Sequence, residues 1–357
     1  MNQDQWFQNL VESGEEKKPS SYGWSAKDKT HNTTKEDLDA FLADSMAKLT
    51  VEERERELEQ LHGCLPTDLL EDPLEIETKL KLLDHHLNSI KQGTVYEVAE
   101  SMNRTFVSSR AFRITFLRAD RYNPQEAVMR IIRFLEIKRS LFGTKKLVKK
   151  ITLADLDKDD MECLKDGTYQ ILPVRDMAGR VVIIGFPHLG CKKPADNRSR
   201  ASYYSIMTLI ESEETQKRGI SGVWYAVGTE KNLDTNRGIL WNLPIFRAGV
   251  HICSHNQIAY ILSADAIYRL PTEMRPRIRV HVGSHQECQN TLNSFGIPRA
   301  AIPLSDDNIP HVDNHLKWLE QRRAIEETGE QKEAAIVVTD ADVLFGRYGT
   351  QISGLIH

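Results

Sequence analysis

Apolar positions divide the chain into a helical stretch followed by a stretch of alternating strands and helices. Ile76, Leu80, Leu83, Leu87 and Ile90 recur at spacings of four and three, which places them in one stripe along a helix. Ahead of that stripe, Asp72, Pro73 and Glu75 supply a capping acid, a proline at the first helical position and a glutamate two residues later; Gly93 follows as a stop. Asn123, Pro124, Gln125 and Glu126 repeat the start signal. Val128, Ile131, Ile132 and Leu135 give the second helix its buried face, and Gly143 marks its end. Two amphipathic helices of this kind need a partner surface.

After Thr152 the period changes. Residues 169–174 and 181–186 read as strands joined by the turn-rich 175–180, an antiparallel hairpin. Residues 197–217 read as a helix, 222–227 as a buried strand, and 248–254 and 277–282 as two further strands separated by helix-like 257–270. Strands alternating with helices predict an α/β fold with a mixed, mainly parallel sheet flanked by helices. A polar segment after Leu304 leads to a helix over 313–327 and a strand-like run at 335–339.

Composition adds boundaries. Residues 13–37 are dominated by Gly, Ser, Lys, Glu, Thr and Asn, too polar to bury a core, so 1–50 is expected to be a largely disordered tail. Residues 51–142 then form a helical region, 143–304 the sheet domain, and 305–357 a C-terminal helix and tail. Lys and Arg total 47 against 51 Asp and Glu, a net charge of -4, which gives no electrostatic reason to expect nucleic acid. No apolar run approaches the roughly 18 residues of a membrane span, and the start lacks the pattern of a secretory signal, so a cytoplasmic protein is expected. Five scattered cysteines without a CxxC pair read as reduced thiols. The run from Glu52 to Glu59 reads as an exposed helix face held by charge pairs.

Three segments carry a resemblance to a known family. Residues 116–127, with Leu117-Arg118-Ala119 before an Asn-Pro helix start, look like the N-terminal helical signature of the CRAL-TRIO (Sec14-like) family. Val174-Arg175-Asp176 with Gly179-Arg180-Val181 resembles the hairpin that opens that family's sheet. Residues 277–284, a following helix and Gly296-Ile297-Pro298 resemble its last core strand and exit. The likeness spans 110–304. It implies a lipid-binding domain whose pocket lies between sheet and helices under a mobile gate helix, here 257–270, with Ile258, Ile261, Leu262 and Ile267 as the gate's inner face. On this reading the strands would supply pocket walls, Ile184, Phe186, Val223 and Tyr225 among them, although alternation must assign about half of any strand to the opposite face. Arg277 and Arg279 would hold a phosphate head group. The acidic residue that accompanies such a site has no match around 245–249, so a sterol-like or terpenoid ligand stays open. The implied activity is non-enzymatic: binding, exchange or presentation of a lipid at a transiently contacted membrane, with no cofactor besides the bound lipid. Residues 341–347 resemble the opening of a DVLxGRG-type module, with Tyr348 where a second glycine is expected.

Other chemistry competes. His251, Cys253 and His255 alternate along one strand, and His281, His285 and Cys288 lie on or just after another, so a metal could find N and S ligands if the strands are neighbours. Their spacing matches no zinc signature. Asp155, Asp157 and Asp159 imitate a calcium loop, but Asp160 stands where that loop needs glycine, and a capped pair of short helices is the better reading. No phosphate-binding GxxxxGK[ST] loop, G-x-S-x-G elbow or H-E-x-x-H helix is present. A scaffold protein with the same fold and a filled cavity is the remaining alternative, favoured if Trp224, Tyr225 and Trp241 point inward.

Overall fold

Residues 34–62, 71–186, 189, 193–226, 241–254, 267–268, 272–305 and 309–328 are described in a computed structural model of the protein. Helices α1 (Lys35–Ala47), α2 (Val51–Leu61), α3 (Pro73–Ile90), α4 (Val95–Val107), α5 (Arg110–Ala119) and α6 (Pro124–Phe142) come first. Both start signals work as caps: the Asp72 carboxylate accepts from the Leu74 N–H at 2.9 Å, and the Asn123 side-chain oxygen accepts from Gln125 and Glu126. The two predicted stripes meet in one apolar core, which α4 and α5 complete. Gly143 ends α6 at φ +75°, a conformation few other residues adopt.

Composition misplaced α1. Lys35–Ala47 is a helix within the expected tail, started by a reciprocal Thr34–Asp37 capping box, and its Leu38 is fully buried against strands far along the chain. That partner surface is what a local polarity argument cannot see. Residues 1–33 lie outside the described residues.

The short helices read from the acidic run are present. A 3₁₀ turn at Leu153–Asp155 precedes α7 (Lys158–Lys165), and Asp157 and Asp160 form its capping box. Asp160 is buried and accepts from Arg200 Nε and Asn197 Nδ2, so its charge is already answered. The single helix expected over 197–217 is two, α8 (Ala195–Leu209) and α9 (Glu213–Arg218), because the Ser212 hydroxyl caps a new start by accepting from Thr215. Two more helices follow the sheet, α10 (His285–Ser294) and α11 (Asp313–Thr328). The last belongs to the body: buried His315 bonds to the Leu164 carbonyl at 2.6 Å, and buried Arg322 pairs with Glu211 at 3.0 Å.

Five strands, β1 (Tyr169–Arg175), β2 (Val181–Gly185), β3 (Ile220–Ala226), β4 (Arg247–Ser254) and β5 (Ile278–Val282), lie side by side in chain order. β1 and β2 form the antiparallel hairpin, closed by Asp176 Oδ1 accepting from the Ala178 and Arg180 amides; every other pairing is parallel. The result is a mixed, mainly parallel α/β sheet. In-register pairing fixes its two faces. Tyr169, Ile183, Gly185, Gly222, Trp224, Val250, Ile252, Ile278 and Val280 share the first face; Ile184, Val223, Tyr225, His251, Cys253, Arg279 and His281 share the second. Over the second face lie α10, residues 297–304 and Leu61 of α2, while α8, Leu38 and Ile267 sit on the first.

Candidate functional site: the open face of the sheet

β3 is the middle strand, where both faces of a flanked sheet would be expected to disappear from solvent. Its second-face residues do: Ser221, Val223 and Tyr225 are 2%, 1% and 2% exposed. Gly222 and Trp224, alternating with them, are only half-buried, and so are Ile183 and Tyr169 beside them on the same face. Among the described residues, the centre of the first face is therefore less completely covered than that of the second, which makes it the candidate for a ligand hollow. Gly222 lies at this centre, where among the described residues a Cβ would meet nothing nearer than 3.8 Å. Gly185 serves differently: a Cβ at that position would come within 2.9 Å of the Trp224 ring, so the indole lies across β2 only because no side chain intervenes. Tyr169 meets that indole edge-on, with centroids 5.3 Å apart at 88°. The lining is aromatic and aliphatic, and it can offer contact to an apolar guest.

The predicted walls and Ile267, the described residue of the predicted gate face, lie on opposite faces of the sheet. Ile184, Phe186, Val223 and Tyr225 pack in a second-face cluster with Cys253, Cys288, Leu292 and Ile297, and none of the four is more than 2% exposed. Ile267 is fully buried on the first face against Val250, Ile252 and Ile278. Period-two patterning in a sheet buried on both sides does not say which face is which. Ile258, Ile261, Leu262 and His255 lie outside the described residues. Glycines inside strands, at 185 and 222, were the signal that sequence reading could have used, since such glycines mark close backbone approach.

Arg277 and Arg279 do not face the hollow either. Arg277 lies in the 3₁₀ turn before β5, donates to the Glu57 carboxylate of α2 at 2.7 and 3.0 Å, and stacks on Phe246 at 4.8 Å. The charged helix run thus ties α2 to the sheet. Arg279 is on the second face, with one guanidinium nitrogen donating to the Pro276 and Ile278 carbonyls.

His251, Cys253 and His281 do share a side, as their alternation predicts, but they divide into two groups. His251 Nδ1 lies 3.1 Å from His281 Nε2, the rings stacked. Burial, with Arg279 close by, pushes His281 down to about 4; burial, then His281, pushes His251 well below the usual imidazole range. His285 turns instead toward Tyr225, its Nδ1 2.5 Å from the phenol oxygen. Arg299 Nε donates to Gln289 Oε1, which orients the amide so that Gln289 Nε2 donates to His285 Nε2. The proton of His285 then sits on Nδ1 and goes to Tyr225, whose hydroxyl donates to the His285 carbonyl at 3.2 Å. Cys253 and Cys288 are buried free thiols beside this relay, and burial pushes Cys253 up. Among the described residues, no three His, Cys, Asp or Glu side chains converge to hold a metal. His251 is a buried core group, and His281 and His285 are partly exposed, each with a partner for a ring nitrogen.

Of the large residues on which a filled cavity would depend, Trp224 and Trp241 both pack against the first-face cluster of Leu38, Val250, Ile252, Ile267 and Ile278, with Trp241 also under Arg247 at 4.8 Å, and Tyr225 is on the opposite face. The fold is that of an α/β protein with a mixed five-stranded sheet. No family model matches the chain, and no curated protein matches it.

Proposed function

We propose that the protein binds a lipid or other small hydrophobic molecule in the hollow on the first face, and carries or presents it without acting on it chemically. The single observation behind this reading is the half-exposure of Trp224, Gly222, Ile183 and Tyr169 on the first face, where the alternating Ser221, Val223 and Tyr225 of the second face are buried. Leaving such a surface to water forgoes burial worth about 25 cal/mol per Å². A guest recovers it. For a fourteen-carbon acyl chain, about 0.8 kcal/mol per methylene, or roughly 11 kcal/mol, must be matched by the protein when the chain leaves a bilayer.

The likeness to the CRAL-TRIO family supports the same activity, with the ligand space on the first face, the face that Ile267 of the 257–270 segment joins. Among the described residues no helix is long and apolar enough to cross a membrane. Membrane contact in this reading is transient and the working compartment is the cytoplasm.

The test is organic extraction of natively purified protein followed by lipid mass spectrometry. Close to one molecule of a defined hydrophobic compound per chain is expected. A preparation from lipid-rich cells that yields none, and takes up none from vesicles, favours the filled scaffold and removes the proposal.

A further inference from the structure

Residues 34–62 hold the sheet from both sides. Leu38 of α1 is fully buried on the first face against Val250, Ile252 and Ile278, while Leu61 at the end of α2 lies over Gly249 on the second. Both helices also grip the turn that leads into β5: Phe41 of α1 receives the Arg275 guanidinium at 4.7 Å, and Glu57 of α2 pairs with Arg277. Only Lys48, Leu49 and Thr50 join the two helices, so they form one strap. Its second-face end rests on a layer of basic side chains. His62, the residue after α2, stacks on Phe295 at 4.6 Å, and Phe295 in turn covers His251 at 4.7 Å and His281 at 5.5 Å. Arg180 of β2's start donates to the Gln60 carbonyl at 2.6 Å. His62, His281, Arg279 and Arg180 all act on His251. Of the acids, Asp176 bonds to Arg180 and Ser221, and Glu57, which also acts on Arg279, is paired with Arg277.

We propose that residues 34–62 are an acid-released strap, lifted from the sheet when the His251–His281 pair takes up protons. His251 Nδ1 and His281 Nε2 stand 3.1 Å apart, a contact that needs one proton between the nitrogens and is broken by two, since two imidazolium rings would set N–H against N–H. While the strap is seated the pair stays neutral. Burial, then Arg279, holds His281 at about 4; burial, then His281, Arg279, Arg180 and His62, holds His251 well below the usual imidazole range. With Leu61 and His62 withdrawn and water admitted, each ring returns to an ordinary pKa of about 6.5. The open state thus binds protons that the closed state refuses, and acid favours it. At pH 5 such a ring is protonated about thirty to one, so each contributes about 30-fold, and the two together about 1000-fold, to the ratio of open to closed. Release of α1 along with α2 withdraws Leu38 from Val250, Ile252 and Ile278. Neither the seat of the strap nor its release depends on what the first face binds.

Amide hydrogen exchange on the full chain, read by mass spectrometry at neutral pH and at about pH 5 with intrinsic chemical rates divided out, tests the strap. Protection of residues 51–62 should fall on acidification by at least about 30-fold, the contribution of one ring, and by up to about 1000-fold. Protection of 35–47 should fall with it, while α3 and α6 keep theirs. His281→Gln keeps a polar side chain beside His251 but does not titrate, so it should lessen the fall by about 30-fold. Arg279→Gln should lessen it too, because His281 then accepts a proton more readily while the strap is seated. Protection of 51–62 that is unchanged by acid, or that falls equally in the wild type and both variants, overturns the proposal. Loss of protection in α3 and α6 in step with 51–62 overturns it as well, since that is unfolding of the whole chain and not release of a strap.

Discussion

Gly222 and Val223 are neighbours on the central strand and should respond in opposite ways to substitution. Gly222→Leu places a side chain into the hollow. The new Cβ would sit 3.8 Å from its nearest neighbours among the described residues, the Gly249 carbonyl oxygen and Val250 Cγ2, which is ordinary van der Waals contact. Folding stability should therefore stay within about 1 kcal/mol of wild type, helped by the better strand propensity of leucine. Ligand binding should not survive. A leucine side chain displaces about four carbons of guest at roughly 0.8 kcal/mol each, about 3 kcal/mol in all or roughly 200-fold in Kd. Val223→Ala does the reverse. Val223 is 1% exposed in the second-face cluster, so truncation should cost about 2 kcal/mol of stability and leave affinity unchanged. Urea denaturation reads the first quantity, and bound lipid per chain by mass spectrometry reads the second. A Gly222→Leu protein with a full complement of ligand would refute the face assignment, as would a Val223→Ala protein that is fully stable yet empty.

Arg118 and Glu71 are 6% and 11% exposed and joined at 2.6 and 2.8 Å, with Tyr122 also donating to the carboxylate; Arg118→Met should cost about 3 kcal/mol in urea unfolding, because the carboxylate loses its two shortest cationic bonds and keeps only Tyr122 and Lys217, the latter at 3.3 Å. Burial alone would raise Glu71, yet its bonds from Arg118 and Tyr122 hold it at about 2, so wild-type stability is complete above pH 4.5 and falls as pH drops toward 2, a slope that Arg118→Met should flatten in acid titrations followed by circular dichroism. His281 carries the opposite chemistry with the same sign: kept neutral down to about pH 4 by burial and by Arg279, it costs stability as pH falls from 6.5, where the unfolded chain takes up a proton that the folded chain refuses. His281→Gln should remove part of that loss between pH 6.5 and 4, and an unchanged profile would disprove the assignment. Arg277→Ala should leave lipid uptake from vesicles as it is and lower stability by about 1 kcal/mol through the lost Glu57 contact, whereas a loss of uptake would return Arg277 to the ligand site.

Much of the local structure was legible in the residues. Asp72 and Asn123 before proline determined where α3 and α6 begin, the spacing of Ile76, Leu80, Leu83 and Leu87 determined which side they bury, and Asp176 with Gly179 determined the hairpin. Each of these rests on contacts within a few residues, or on a period that only one element satisfies. Alternation likewise put His251 and Cys253 on one side of β4. Tertiary structure decided everything that depends on a distant partner. It made a helix of Lys35–Ala47 by giving Leu38 a sheet to pack on, took Arg277 for Glu57, and closed the His251–His281 pair. Above all it chose the face. Val223 and Trp224 are both apolar residues on one strand, and only the elements stacked over the sheet made one of them fully buried core and left the other partly exposed against the first-face cluster. A strand's sequence states that its two sides differ; what covers each side is contributed by other parts of the chain.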